Sequence, residues 1–257
     1  MINLENTHKI RVSVVSYINS FPFIYGILNS NLKDKIELTD DIPAICGQKL
    51  INNQADLGLV PVAILPQLPN YEIVGKYCIG ATGPVKTVLL LSQDNPENLH
   101  TIYLDNESRT SVQLIRIIVN EFWKMEVVWK NLAGYTGNYD EPKTGFVMIG
   151  DKTFTYAPKF GFITDLAEEW QKQTSLPFVF ACWVANKKLP DAFITEFNQA
   201  VEYGINNREK SIVLAKNPII SNEAMIDYLE NAISYDFDEK KQEALTLFLG
   251  FIKAKRL

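Results

Sequence analysis

Histidine is nearly missing from this chain: its 257 residues include two, His8 and His100. His8 falls at an expected strand entry and His100 in a polar crossover, so neither is expected to act as a general base. Three cysteines occur, Cys46, Cys78 and Cys182. Their odd count and the lack of a CxxC argue against a disulfide framework and a thiolate metal site. They read as reduced, buried small hydrophobes. HExxH, GxSxG and GxGxxG are absent too, so metal, nucleotide and Ser-triad chemistry all lose support. No stretch approaches the ~20 apolar residues of a membrane helix, and no membrane partner is expected. Met1–Phe21 does not follow the pattern of a basic segment leading into a long apolar one. Its apolar run Val12–Val15, broken by Ser13, reads as a strand, and the expected location is the cytoplasm. Basic residues are outnumbered by acidic ones, 25 against 30, which argues against a non-specific nucleic-acid binder. A small anion remains compatible, because backbone donors can oppose the global charge locally.

What is present is a chain 47% apolar and 21% charged, ample for a packed core in one large domain or two small ones. Strands and helices alternate, which predicts an α/β fold. Lys9–Val15, Leu57–Val60, Ile73–Ile79 and Lys86–Ser92 read as strands, with Tyr17–Pro22 as a loop. Pro43–Asn53 reads as a helix capped by Asp41, and Val62–Leu68 as a short helix between prolines. The polar stretch Gln93–Asn98 reads as a crossover into a second lobe. There Thr101–Leu104 and Phe146–Ile149 are expected strands, and Gly134–Gly145 a loop. The helix from Arg109 to Lys124 follows from Val112, Ile115, Val119 and Phe122 at spacings of three, four and three. Asp165–Thr174 reads as a helix and Pro177–Val184 as the returning strand. The tail from Pro190 reads as helical throughout, with Ala244, Leu245, Phe248, Leu249 and Ile252 as one packing stripe.

This excursion from one lobe to another and back is the topology of a two-lobed, hinged binding protein. Residues 1–94 and 179–257 are assigned to the first lobe and 95–178 to the second, with linkers near Ser92–Asn98 and Leu176–Phe180. Ligands in such folds lie in the cleft, where strand ends and helix N-termini meet.

Three segments point into that cleft. Ser108-Arg109-Thr110-Ser111 opens the second-lobe helix, where unpaired N–H groups and the macrodipole favour an anion and Arg109 can add charge-assisted bonds. The same residues also read as a plain Ser N-cap with Thr110 and Ser111 solvated. Asn19 can donate and accept, which suits a cleft oxygen, or it is a turn asparagine. Gly80–Thr87 has two glycines for close backbone approach, without the spacing of a phosphate loop. Asp105, Asp151 and Asp165 are available acids with no role assigned by position alone.

In order along the chain, Ser16-Tyr17-Ile18-Asn19-Ser20-Phe21-Pro22, Asp56–Ala63, Cys78-Ile79-Gly80 with Gly83-Pro84-Val85, and Tyr103-Leu104-Asp105 leading into Ser108–Val112 resemble the chorismate dehydratases of the futalosine route to menaquinone. Ile149-Gly150-Asp151, Asp165-Leu166 to Trp170, and Leu176–Trp183 continue the likeness, which covers residues 9 to 185 and little of the tail. The resemblance implies a type II periplasmic-binding-protein-like fold with a hinge and an interlobe cleft. It also implies conversion of chorismate to 3-[(1-carboxyvinyl)oxy]benzoate and water without a metal or organic cofactor. Carried over, Asn19 is the cleft asparagine near the enolpyruvyl group, and Thr87 stands where relatives have a serine. Ser111 with Thr110 would hold a carboxylate. Ser20, Gly83, Val85, Arg109 and Asp151 complete the expected substrate contacts, with Asp151 the competitor for proton removal. The alternatives are the sister enzyme making 1,4-dihydroxy-6-naphthoate, which is expected to need a cleft histidine, and a non-catalytic solute-binding protein, which is expected to carry an export signal. Monomer and homodimer both stay open.

Overall fold

Buried apolar runs organise the chain into two sheets. The computed structural model describes residues 9–216 and 218–255, so His8 lies outside the described residues. In the first lobe β1 (Ile10–Val15) leads through α1 (Phe21–Leu28), β2 (Ile36–Asp41), α2 (Pro43–Ile51) and β3 (Leu57–Pro61) to β4 (Glu72–Ala81). The second holds β5 (Val88–Ser92), β6 (Thr101–Leu104), α3 (Arg109–Ile117), β7 (Val128–Asn131), β8 (Thr144–Ile149), α4 (Thr153–Tyr156), β9 (Phe162–Asp165) and α5 (Leu166–Thr174). The chain returns as β10 (Phe178–Ala185), then α6 (Asp191–Asn206), α7 (Arg208–Ser211), α8 (Asn222–Asn231), β11 (Ser234–Asp236) and α9 (Glu239–Lys255). The first sheet runs β11-β4-β10-β3-β1-β2 and the second β7-β6-β8-β5-β9. This is the expected two-lobed, type II arrangement.

Strand β5 corrects the expected lobe boundary. It pairs antiparallel with β8 and β9, so the outward crossing lies at residues 82–87, ahead of the polar stretch Gln93–Asn98. The return runs through Ser175, a left-handed helix cap with φ 60°, into β10. Strand β10 then lies between β3 and β4, which sews the returning chain into the centre of the first sheet.

Several local expectations also change. Tyr17–Pro22 is no simple loop: a 3-10 turn over Ile18–Ser20 runs into α1. Asp41 does not cap α2, which starts after Ile42 without a side-chain cap. Its carboxylate instead accepts from Ser13, Thr39 and Lys49, which hold it below the usual carboxylate range although burial opposes them. The regular α-helix from Arg109 ends at Ile117 and loosens into a π turn over Ile118–Phe122. The tail is not helical throughout, because β11 pairs with β4.

Helix α9 packs against both lobes. Phe248 touches Phe178 of β10 and Trp170 of α5, and Phe251 meets Phe122. Ala244, Leu245, Phe248 and Ile252 are buried, as the stripe predicted, with Leu249 half-buried beside them. All three cysteines are buried, and loss of hydration pushes the Cys46 and Cys78 thiols up to about 12. Helices α1 and α6 cross at Gly26 and Gly204, where an added Cβ would run into Ala200 O and Pro22 O respectively. Among the described residues no helix is long and apolar enough to cross a membrane.

Candidate functional site

The parallel strands β1 and β3 deliver Val15, Leu59 and Pro61 to one rim of the interlobe cleft, and the N-terminus of α3 faces them from the second lobe. Between the lobes lies a cavity of about 520 Å³, counting space open to solvent. Its walls are largely apolar, with Ile79, Val85, Val88, Ile149 and Phe180 among them. The polar groups on it are few: Tyr17, Asn19, Ser20, Thr87, Ser108 and Ser111. A few placed donors on an apolar wall is the usual composition of a small-molecule site.

Both readings of Ser108–Ser111 hold at once. Ser108 is the N-cap of α3, its Oγ accepting from the Ser111 N–H at 3.4 Å and from the Ser111 hydroxyl at 3.2 Å. The same two serines line the cavity, so the positive end of the helix macrodipole faces it. Thr110 is neither solvated nor on the cavity. Its hydroxyl donates to Phe180 O at 3.1 Å and accepts from Ala63 N–H at 3.2 Å, which fastens α3 to the first lobe. Arg109 points elsewhere, donating to Gln67 Oε1 at 2.7 Å over a separate surface pocket. Gly83 adopts φ +102° in the crossing segment and does not line the cavity, whereas Val85 does.

Asn19 and Ser20 sit in the 3-10 turn after β1, with the Ser20 hydroxyl donating to Asn19 Oδ1 at 3.1 Å. Thr87 ends the crossing segment, and its hydroxyl shares a 2.7 Å hydrogen bond with the hydroxyl of Tyr228 on α8. Tyr235 of β11 donates to the Asn19 carbonyl at 2.9 Å. Neither tyrosine was among the sequence candidates. A single Tyr in a polar, amphipathic tail gives no local signal that its hydroxyl reaches a site more than a hundred residues upstream.

The three acids have separate places. Asp165 caps α5, accepting from Ala167 and Glu168 N–H groups, and also accepts from Lys86 N–H. Asp105 binds Lys152 at 2.6 Å. Asp151 borders a neighbouring cavity with Ile18 and Phe21, and accepts the Ile18 N–H at 3.3 Å. Burial raises its carboxyl to about 6 against that one backbone bond.

Contacts between the lobes cross beside the cleft. The Tyr17 hydroxyl donates to Glu107 at 2.8 Å, and the Ala44 N–H donates to the Glu107 carbonyl at 3.2 Å. The Tyr17 ring lies on Gly150 (φ +71°), where a Cβ would come within 2.9 Å of it. Desolvation and then the Glu107 hydrogen bond push the Tyr17 phenol well above its ordinary value, so it stays a donor.

A family model described as menaquinone biosynthesis matches residues 10–254, past the point where the quoted motifs end and through the tail. Chorismate dehydratase of Thermus thermophilus is 25% identical over 173 residues, covering 58% of this chain and 61% of that relative. The match thus spans less than two thirds of the relative's length. Among solved structures, a protein of Archaeoglobus fulgidus superposes with TM-score 0.69 at 18% identity, over 98% of this chain and 99% of that one. A Candida albicans protein with the generic periplasmic binding protein fold gives TM-score 0.64 at 12% identity, over 95% and 90% of the two chains. The periplasmic aliphatic sulphonate binding protein of Escherichia coli gives TM-score 0.62 at 16% identity, over 96% and 87%. These likenesses show the fold alone, and the sequence match over nearly the whole chain carries the assignment: this chain belongs to the menaquinone biosynthesis family.

Proposed function

We propose that this protein is a chorismate dehydratase, converting chorismate to 3-[(1-carboxyvinyl)oxy]benzoate and water. The observation that carries the reading is the meeting of Asn19, Thr87 and the Ser108–Ser111 helix start on one apolar interlobe cavity. An apolar wall suits a six-membered carbon ring, and a helix N-terminus suits a carboxylate.

Chorismate carries two carboxylates, a C4 hydroxyl and a ring that becomes aromatic when water leaves. Removing the C3 proton leaves charge conjugated with the ring carboxylate. The C4–O bond then breaks, its electron pair leaves with the oxygen, and that oxygen gains the proton to give water. Aromatisation supplies much of the driving force, so the protein's work is to seat the anion, spread developing charge and exclude water. Ser108 and Ser111 hold the ring carboxylate at the end of α3. Asn19 and Thr87 position the enolpyruvyl carboxylate so that it takes the C3 proton. Asp151, which borders a different cavity, supports this assignment over a protein carboxylate as base. Arg109, Thr110 and Gly83, which lie off the cavity, act only in holding the framework.

Incubating the purified protein with chorismate and following product by chromatography and mass tests the reading. Loss of one water from chorismate with formation of the aromatic ether is expected. Binding without product would instead support a solute-binding protein. Neither binding nor turnover would overturn the proposal and leave the naphthoate-forming sister enzyme to be tested.

A further inference from the structure

Two of the polar groups on the cavity, Asn19 and Thr87, are held from behind by the tail. Tyr228 is buried, and its ring packs edge-on against Phe154 of the second lobe. Its hydroxyl meets Thr87 at 2.7 Å, while the Thr87 alternative, the Val85 carbonyl, is 3.4 Å away. The Asn19 side chain lies near enough to the phenol to favour its charged form, and Tyr235 holds the Asn19 carbonyl. One phenol therefore joins a first-lobe turn, the crossing segment and the second lobe.

A phenol is more acidic than an alcohol, so of the two hydroxyls it is the better donor. With the phenol as the donor, the Tyr228 hydrogen goes to Thr87 Oγ1. The Thr87 hydrogen is then directed away from Tyr228, towards the cavity or the long Val85 contact. We infer that Tyr228 is a positioning residue, which orients the Thr87 hydroxyl and the Asn19 amide towards the substrate and makes turnover depend on the C-terminal tail. The inference rests on the proposed dehydratase reading for what Thr87 and Asn19 do, but the side-chain geometry it asserts is independent of the substrate.

The test is Tyr228→Phe, which keeps the ring and its packing on Phe154. With chorismate, kcat is expected to fall ~10-fold, the scale of one lost positioning hydrogen bond, with KM within about twofold. In the Thr87→Val background the same change is expected to cost no more than about twofold, because the hydroxyl it acts through is gone. Unchanged kcat in Tyr228→Phe, or losses that multiply in the double variant, would overturn the inference. An activity-independent arm uses protein labelled with 15N-asparagine, the Asn19 side-chain amide being identified by its loss in Asn19→Ala. Its resonances are expected to move in Tyr228→Phe and also in Thr87→Val, which breaks the contact from the other side should the Phe variant fold poorly. Unmoved resonances overturn the inference whether or not the wild type turns over chorismate. Absent wild-type turnover with moved resonances overturns the dehydratase reading alone.

Discussion

Asp151 offers a perturbation whose sign and size follow from its surroundings. Its carboxyl is raised from 3.8 to about 6, burial outweighing the single Ile18 N–H that it accepts. A raised folded value means that the folded state holds its proton where the unfolded chain has already released it. Stability therefore falls as pH rises from about 4 to about 6, and the penalty is complete above that window. At 1.36 kcal/mol per pH unit the rise corresponds to ~3 kcal/mol. Asp151 is only part-buried, on the wall of a cavity that opens to solvent, which reduces the expected net to ~1–2 kcal/mol. Asp151→Asn keeps the shape and an oxygen for the Ile18 N–H while removing the charge. The variant should match the wild type near pH 4 and exceed it by ~1–2 kcal/mol at pH 7.5. Urea unfolding of both proteins across this range measures the difference directly. A stability gap that is the same at both pH values would refute the burial argument. The same variant bears on chemistry: with the substrate's carboxylate as the base, kcat for chorismate should stay within about threefold, whereas Asp151 acting as base requires a loss of ~10²-fold or more.

Three further outcomes follow from particular contacts. Asn19→Ala should lower kcat by ~10²-fold, the scale of a lost oriented donor, and full turnover at unchanged affinity would sink the positioning role. Gly204→Ala sets a methyl against the backbone of α1, which cannot swing aside as a side chain can, so thermal unfolding should show a loss of ~3 kcal/mol or more. Asp56 accepts from the Arg11 backbone and guanidinium and pairs with Lys187 at 2.8 Å, which hold its carboxyl well below the usual range against burial. Asp56→Asn should cost ~1–3 kcal/mol at pH 7, and the cost should shrink in strong acid as the wild-type carboxylate protonates; chemical denaturation at the two pH values reads both.

The fold was legible where strands are buried on both faces. β3, β5, β8 and β10 are buried along their whole length, and each appears in the sequence as an uninterrupted apolar run. The four strands that escaped sequence reading, β2, β7, β9 and β11, are the four sheet edges. An edge strand buries part of its surface and carries charge or polar residues against stray pairing, as in Ile36–Asp41 and Val128–Asn131, so its pattern resembles a loop. The misplaced crossing has a related cause. Gln93–Asn98 is polar because it is an exposed turn inside the second lobe, while the true crossing at 82–87 is half buried beside the cavity and reads in the sequence as a short glycine-bearing connection between two strands.

For the site, Asn19 and Ser111 stand out locally, one in the turn after a strand and one at a helix start, whereas Ser20, Val85 and Thr87 were expected from the family resemblance; all five line the interlobe cavity. The chain order of residues sufficed for the α/β class and the outward-and-return path, which depend on periodicity and hydrophobic runs. Tertiary structure alone decided that Arg109 turns to Gln67, that Thr110 fastens the lobes, and that Asp151 belongs to another cavity. It alone brought Tyr228 to Thr87 across 141 positions of sequence. Side-chain partners so far apart leave no periodicity to read: their meeting is set by how the tail packs over both lobes, and packing is a property of the assembled core rather than of any segment within it.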